Sequence, residues 1–221
     1  MITVHHLERS RSHRVLWLLE ELGVPYELVV YQRDPATMLA PPALQAIHPL
    51  GKSPVITEDG AVIAESGAIL EYLIERHGGG RLAPAAGTPA ALRYRYFLHY
   101  AEGSLMPPLL VKLIATRIAT AKMPFFAKPI AKKIAGSIEG SFVTPNLTRH
   151  LAFLEAELTG RAWFTGDELT AADIQMSYPL EAAVERGGPA ARTANLMRVL
   201  TAMRARPAYA RAIARGGPVL V

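Results

Sequence analysis

The sequence predicts an α/β domain over residues 1–80 followed by an all-helical domain over residues 88–221. Three observations carry this division. Short β-branched runs alternate with helical apolar stripes through the first half. From Thr88 onward no strand–turn–strand pattern occurs, and long helical stretches follow one another. Between the two, residues 81–87 (RLAPAAG) are rich in Pro, Ala and Gly, lack periodicity and read as a linker.

Ile2–Leu7 opens with Ile2, Thr3 and Val4 and reads as a strand. Val15, Leu18, Leu19 and Leu22 share one helical face, and Gly23 stops that helix. Tyr26–Gln32 reads as a second strand, and Pro41–Ile47 as a short helix before the turn-rich HPLGKSP. Pro54–Glu58 and Ala61–Glu65 flank Asp59-Gly60, the pair expected in a two-residue type I′ hairpin. Beyond Ser66, the spacing of Ile69, Leu70, Leu73 and Ile74 is helical again and stops at Gly78-Gly79-Gly80. A βαβ unit followed by a ββα unit implies a four-stranded mixed sheet. The second half predicts helices near 90–120, 125–136, 144–159, 171–186, 191–205 and 207–214, with Pro107-Pro108 and Pro124 kinking or interrupting them. Thr170 and Asp173 fit a capping box at the start of the 171–186 helix.

Composition excludes several classes. Half of the 221 residues are apolar and 19% are charged, so the chain can bury a core and is not a disordered one. With no cysteine there is no disulfide framework, thiolate metal cluster or cysteine nucleophile, and any thiol chemistry must use a thiol that the substrate brings. Seven histidines show no paired ligand spacing, so no metal site is expected. The net charge of +5 is local: between Glu102 and Glu139 stand Lys112, Arg117, Lys122, Lys128, Lys132 and Lys133 with no acid among them. That 103–138 window suits an anionic ligand or an acidic membrane surface, or it is a solvated helix face. No nucleic-acid partner is expected. The opening MITVHHLERS lacks the apolar run of a signal peptide, and no stretch approaches the roughly 18 apolar residues of a membrane helix. A cytoplasmic protein is expected.

Three turns hold the candidate chemistry. Glu8-Arg9-Ser10-Arg11-Ser12 joins the first strand to the first helix, where free amides and the helix dipole favour an anion. Ser10 or Ser12 either caps that helix or points a hydroxyl at a bound thiolate, and Arg9 and Arg11 either add positive potential or are solvated. HPLGKSPVI places Pro54 at the first residue of a strand; a cis Ser53–Pro54 bond there would expose the Val55 backbone to an extended peptide ligand. Glu65-Ser66 begins the next helix, where Ser66 either caps it or binds a ligand carboxylate and Glu65 faces an ammonium group.

In this order and on this topology, these segments resemble the glutathione transferases. SRSHRVLWLLEELGVPYE is similar to the family's first turn and helix, HPLGKSPVI to its cis-proline segment, AESGAILEYLIERHG to its glutamate/glutamine–serine segment, and LTAADIQM to the capping box of its helical domain. The resemblance implies a thioredoxin-like N-terminal domain followed by an all-helical C-terminal domain, with glutathione as co-substrate on the first and a hydrophobic electrophile against the second. It implies a serine-type enzyme (theta/delta-like, or a bacterial or fungal branch) that forms a homodimer through its third and fourth helices. Ser10 would be the catalytic hydroxyl, with Ser12 as rival. Lys52 would meet the glycyl carboxylate and Val55 the cysteinyl backbone, beside Ser53 and Pro54, while Glu65 and Ser66 hold the γ-glutamyl end. Arg9, Tyr100, Ser104 and Met106 are the candidates for the electrophile side; Tyr100 and Met106 fit a helical core equally well. The first turn has no tyrosine, unlike tyrosine-type members, and the missing cysteine argues against deglutathionylation through an enzyme-bound mixed disulfide. A glutathione-dependent peroxidase or disulfide reductase, or a glutathione-binding module of low activity, remain alternatives on the same site.

The physics suffices for a hydroxyl. A free thiol has a pKa of about 8.5, so only a few per cent is thiolate at neutral pH. Lowering that by two units takes about 2.7 kcal/mol of preference for the anion. A hydrogen bond to a charged group contributes about 1.5–3 kcal/mol and a helix N-terminus about 0.3–1 kcal/mol.

Overall fold

The computed structural model describes residues 1–220, apart from the side chain of Pro189. Strand β1 (Ile2–Leu7) runs parallel to β2 (Tyr26–Tyr31), joined by helix α1 (His13–Leu22). Helix α2 (Pro42–Ile47) follows, then β3 (Val55–Glu58) and β4 (Ala61–Ala64). β3 lies antiparallel to both β1 and β4, giving the strand order β2-β1-β3-β4 of a thioredoxin-like sheet. The β3–β4 turn has both central residues left-handed, Asp59 at φ 50° and Gly60 at φ 82°, as a type I′ hairpin requires. Helix α3 (Ser66–His77) closes this half.

Helix α1 shows why its sequence is nearly continuous in apolar residues. His13 to Leu19 and Leu22 are all buried, because α1 packs on the sheet side while also touching α3 and the helical half. Its C-cap Gly23 adopts φ 68° and returns its amide to the Leu19 carbonyl.

The helical half comprises α4 (Pro89–Tyr100), α5 (Met106–Thr120), α6 (Lys128–Ile138), α7 (Thr144–Glu157), α8 (Ala171–Arg186), α9 (Ala194–Arg204) and α10 (Pro207–Gly216). A π-turn at Ala101–Leu105 joins α4 to α5, and another at Glu139–Val143 joins α6 to α7. The helical run is therefore continuous over 89–120, near the expected 90–120, with no interruption at Pro107-Pro108, and the gap expected between 136 and 144 is also helical. Pro107, Pro108 and Pro145 sit in the first turn after a π-turn, where the wider winding takes up the hydrogen bonds that proline cannot donate. Pro124 does interrupt, lying in the non-helical segment 121–127.

Helix α8 is the central rod, buried from Ala171 to Ala183 with Pro179 inside it. Its capping box forms: the Asp173 carboxylate accepts from the Thr170 amide and hydroxyl, both at 2.8 Å, and from the Phe164 amide at 2.7 Å. Residues 81–87 form no helix or strand, but the Leu82 carbonyl accepts from the Ala171 amide at 2.8 Å. α10 packs against α1, with Arg206 on Glu21 and Arg211 on Glu20. Among the described residues, no helix is long and apolar enough to cross a membrane.

Candidate active site

Two adjoining cavities lie along the ends of β1, β3 and β4. One, of about 210 Å³, is lined by Arg11, Lys52, Pro54, Glu65, Ser66 and Glu102 among others. The second, of about 250 Å³, is lined by Ser10, Arg33, Met38, Leu39 and Tyr178. Arg11, Leu50, Lys52 and Ser53 belong to both, so they form one cleft.

The first turn places Ser10 and Ser12 differently. Ser10 lines the cleft with 6% of its surface exposed, whereas Ser12 is fully buried behind it. Their Oγ atoms are 2.8 Å apart, and the Ser12 amide donates to Ser10 Oγ at 3.3 Å. Ser12 does not cap α1 with its side chain; its hydroxyl lies 2.6 Å from His6 Nδ1, and His6 Nε2 donates to the Gly216 carbonyl at 2.8 Å. Burial lowers the His6 pKa, against opposing contributions from the Gly216 hydrogen bond and the Glu8 charge. Arg9 points elsewhere: its backbone is left-handed at φ 50°, its side chain is exposed, and it lines neither cavity. Arg33 fixes this turn by donating to the carbonyls of Glu8, Arg9 and Met38.

In the second turn the Ser53–Pro54 bond is cis. The Ser53 hydroxyl donates to the His5 carbonyl at 3.0 Å and accepts from the Leu7 amide at 3.1 Å, bracing the turn against β1. Val55 starts β3 between His5 and Ala64 and is buried, while the exposed Lys52 lines both cavities.

In the third turn Glu65 is a non-glycine residue at φ 72°, conformationally costly by about 1–3 kcal/mol. It precedes α3 as its N-cap, and Ser66 is already helical. Ser66 Oγ accepts from Arg14 Nη1 at 3.0 Å and from Gln175 Nε2 at 3.2 Å. A hydroxyl has two acceptor sites and one donor. With both acceptor sites filled, the remaining capacity of Ser66 is to donate, which suits a carboxylate.

Sequence reasoning missed the charged group beneath this turn. Arg14 is fully buried and donates to Glu102 Oε1 at 2.6 Å, while Arg11 Nε reaches both Glu102 oxygens at 2.9 and 3.0 Å. Both guanidinium groups also lie 5.3 Å from the Tyr178 ring centroid. Burial depresses the Arg14 pKa to about 10, partly offset by Glu102. Burial alone would raise the Glu102 carboxyl, but Arg14 and Arg11 outweigh it and hold the group below the usual glutamate range. A lone arginine inside the apolar run of α1 is the signal that a buried acid must face it.

Of the segment expected to bring the second substrate's contacts, Glu102 reaches the cleft. Tyr100, Ser104 and Met106 line neither cavity. The Tyr100 hydroxyl lies 2.6 Å from His150 Nδ1, and its ring packs with Tyr96 and Phe153, so its apolar surface goes to the core. Met106 is buried in the same core, and Ser104 is half-buried in the π-turn. The bases of the 103–138 window lie on α5, α6 and their connection, and none lines the cleft.

The arrangement sets cations (Arg11, Lys52), carboxylates (Glu65, Glu102) and a hydroxyl donor (Ser66) around one cavity and Ser10 in the next. Such a site fits a zwitterionic ligand with more than one carboxylate. Residues 10–76 match the model of the glutathione S-transferase N-terminal domain, and residues 115–207 that of the glutathione S-transferase C-terminal domain. "Glutathione S-transferase 1" of Saccharomyces cerevisiae is 36% identical over 193 residues, 84% of this chain and 82% of that protein. A glutathione S-transferase structure from Actinobacillus pleuropneumoniae is 32% identical with a TM-score of 0.77, covering 98% of this chain and 93% of that one. A glutathione transferase family member from Pseudomonas fluorescens, with two glutathione bound, is 25% identical with a TM-score of 0.72 over 96% of this chain and 92% of that one. Residue pattern, strand order and likeness along nearly the whole chain agree: this protein belongs to the glutathione S-transferase family.

Proposed function

We infer that this chain is a glutathione transferase that binds glutathione along the cleft and stabilises its thiolate beside Ser10 for attack on a hydrophobic electrophile. The observation that carries this reading is the Ser10 hydroxyl, set in the cleft at the start of α1 with Ser12 buried behind it. Ser10 is therefore the sulfur-facing serine. Lys52 meets the glycyl carboxylate, Ser66 donates to the γ-glutamyl carboxylate, and Glu65 faces the ammonium group. Ser53 and Pro54 shape the turn that presents the Val55 backbone to the cysteinyl unit. Met38, Leu39 and Tyr178 supply apolar surface next to Ser10, a better placed electrophile wall than Tyr100, Ser104 or Met106. The family resemblance also carries a homodimer through α3 and α4, where the exposed Leu92 and Tyr96 offer apolar surface for a partner copy.

The test is titration of the bound thiol. Ser10→Ala should raise the pH midpoint of thiol attack by about one unit or more, matching the loss of a charged hydrogen bond. No binding of reduced glutathione by calorimetry would refute the reading. Turnover of organic hydroperoxides without conjugation of aryl halides would reassign the reaction on the same site.

A further inference from the structure

Behind Ser10 a line of polar contacts leads away from the cleft and ends on the backbone of α10, and simple thiolate stabilisation by Ser10 makes no use of it. The direction of each hydrogen bond follows from its far end. The Gly216 carbonyl can only accept, so His6 Nε2 carries the hydrogen and Nδ1 of the neutral ring is an acceptor. Ser12 then donates to Nδ1 at 2.6 Å, and its oxygen accepts from the Ser10 hydroxyl at 2.8 Å. The other acceptor near Ser10, Ser53 Oγ, is 3.5 Å away, a longer and weaker partner than Ser12. Ser10 Oγ also accepts from the Ser12 amide at 3.3 Å. The resting site therefore offers the cleft one lone pair of Ser10 and no hydrogen, which matches a thiol S–H and not a thiolate.

We propose that His6 is a positioning and proton-relay residue, receiving through Ser12 and Ser10 the proton that the glutathione thiol gives up. The inference rests on the reading that the glutathione sulfur meets Ser10. In the step, the S–H bond breaks with its electron pair left on sulfur, and that proton bonds to Ser10 Oγ. The proton Ser10 held passes to Ser12 Oγ, and the proton Ser12 held passes to His6 Nδ1. Both hydroxyls end neutral, and the imidazole ends as imidazolium, donating to Ser12 and to Gly216. Every hydrogen bond between the sulfur and His6 has reversed. Ser10 now donates to the thiolate and accepts from the Ser12 amide and hydroxyl, so its one donor and two acceptor sites are all filled.

Burial disfavours a standing charge on His6, so the ring rests neutral and free to accept a proton, while the Gly216 hydrogen bond and Glu8, just past β1, favour the imidazolium. His13, from α1, is held neutral by burial, which lowers its pKa to about 3. From α10 the ring meets the Gly216 carbonyl, while Arg215 turns to Glu20 and Tyr26. Glycine at 216 lets α10 approach this closely: a Cβ there would lie 2.5 Å from Leu16 Cδ1 and 3.1 Å from His6 Cε1, so one of these side chains would have to shift.

The decisive experiment uses the unmodified chain with 15N-labelled imidazoles, read by NMR at neutral pH. Glutathione should convert His6 from the Nε2–H tautomer to the doubly protonated ring. S-methylglutathione, which has no thiol proton, should leave it neutral. The same His6 state with both ligands would overturn the relay. Kinetics supply a second arm: His6→Gln and Ser12→Ala should each raise the midpoint of thiolate formation by about one unit, making conjugation about threefold slower at neutral pH and about tenfold slower below both midpoints, with recovery in alkali. The double variant should be no worse than either single one, since both break one chain. Retained affinity for S-methylglutathione identifies folded variants. If Ser10→Ala shifts the midpoint and these two do not, the relay fails and the Ser10 reading stands. If Ser10→Ala shifts nothing either, the Ser10 reading itself is lost.

Discussion

Glu102 faces two guanidinium groups of opposite situation, and its loss separates their roles. Arg14 is fully buried and keeps its charge, so Glu102→Gln leaves it with no countercharge. Because Glu102 itself is 32% exposed, the cost should fall at the lower end for a broken buried pair, about 3 kcal/mol in denaturant unfolding. Arg11 is more open, and Arg11→Gln should cost under about 1 kcal/mol in stability while raising the KM for glutathione. At this scale the sequence was partly legible. Ser10, Lys52, Glu65 and Ser66 announce themselves by standing at turns between strands and helices, where unpaired backbone groups collect. Glu102 does not, since its partner lies 88 positions earlier and only the folded chain brings α1 against the π-turn that follows α4. Tyr100 is the opposite case: a tyrosine at helical spacing serves a core as well as a cleft, and here its hydroxyl lies against His150.

Helix ends and junctions decide the next level. The Asp173 carboxylate satisfies the first turn of α8 and the Phe164 amide together, so Asp173→Ala should lose about 2 kcal/mol, the upper end for a lost cap, by thermal unfolding. Gly216→Ala pushes α10 off Leu16 and His6. The expected cost is about 1–3 kcal/mol of overpacking, with a higher midpoint for thiolate formation in the same variant. The β-hairpin, the C-terminal end of α1 and the span of α8 followed from local rules: a two-residue turn pair, a terminal glycine and a capping box. The π-turns did not. Pro107, Pro108 and Pro145 were plain in the sequence, but whether a proline breaks a helix or is absorbed by a wider turn depends on what the flanking helices pack against. Here α4 and α7 both lie on the core, which keeps each pair of segments in line.

Over the whole molecule, stability should depend on pH in two directions. Burial would raise the carboxyls of Glu20, Glu58, Glu102 and Glu155, yet the donors facing them outweigh it and hold all four below their usual 4.5. The stability they contribute is complete above that pH and is lost as acid titrates them through their lower folded values. Asp173 works the other way: burial lifts it from 3.8 to about 6, so its ionisation costs stability as pH rises across that interval. Melting temperatures should fall steeply below about pH 4.5, and Asp173→Asn should flatten the curve between 4 and 6.

The division into a sheet-bearing half and a helical half was readable because periodicity changes from two to 3.6 along the chain. The docking of α10 onto α1 was not, since it depends on arginines and acids some 190 positions apart. That docking gives the order of synthesis a meaning. His6 is made among the first residues, yet the carbonyl that fixes its tautomer arrives 210 residues later. On the proposed relay, a chain whose α10 is not yet seated lacks the carbonyl that prepares His6 to take the proton. The onset of conjugation during translation or refolding should therefore lag glutathione binding and coincide with the seating of the last helix.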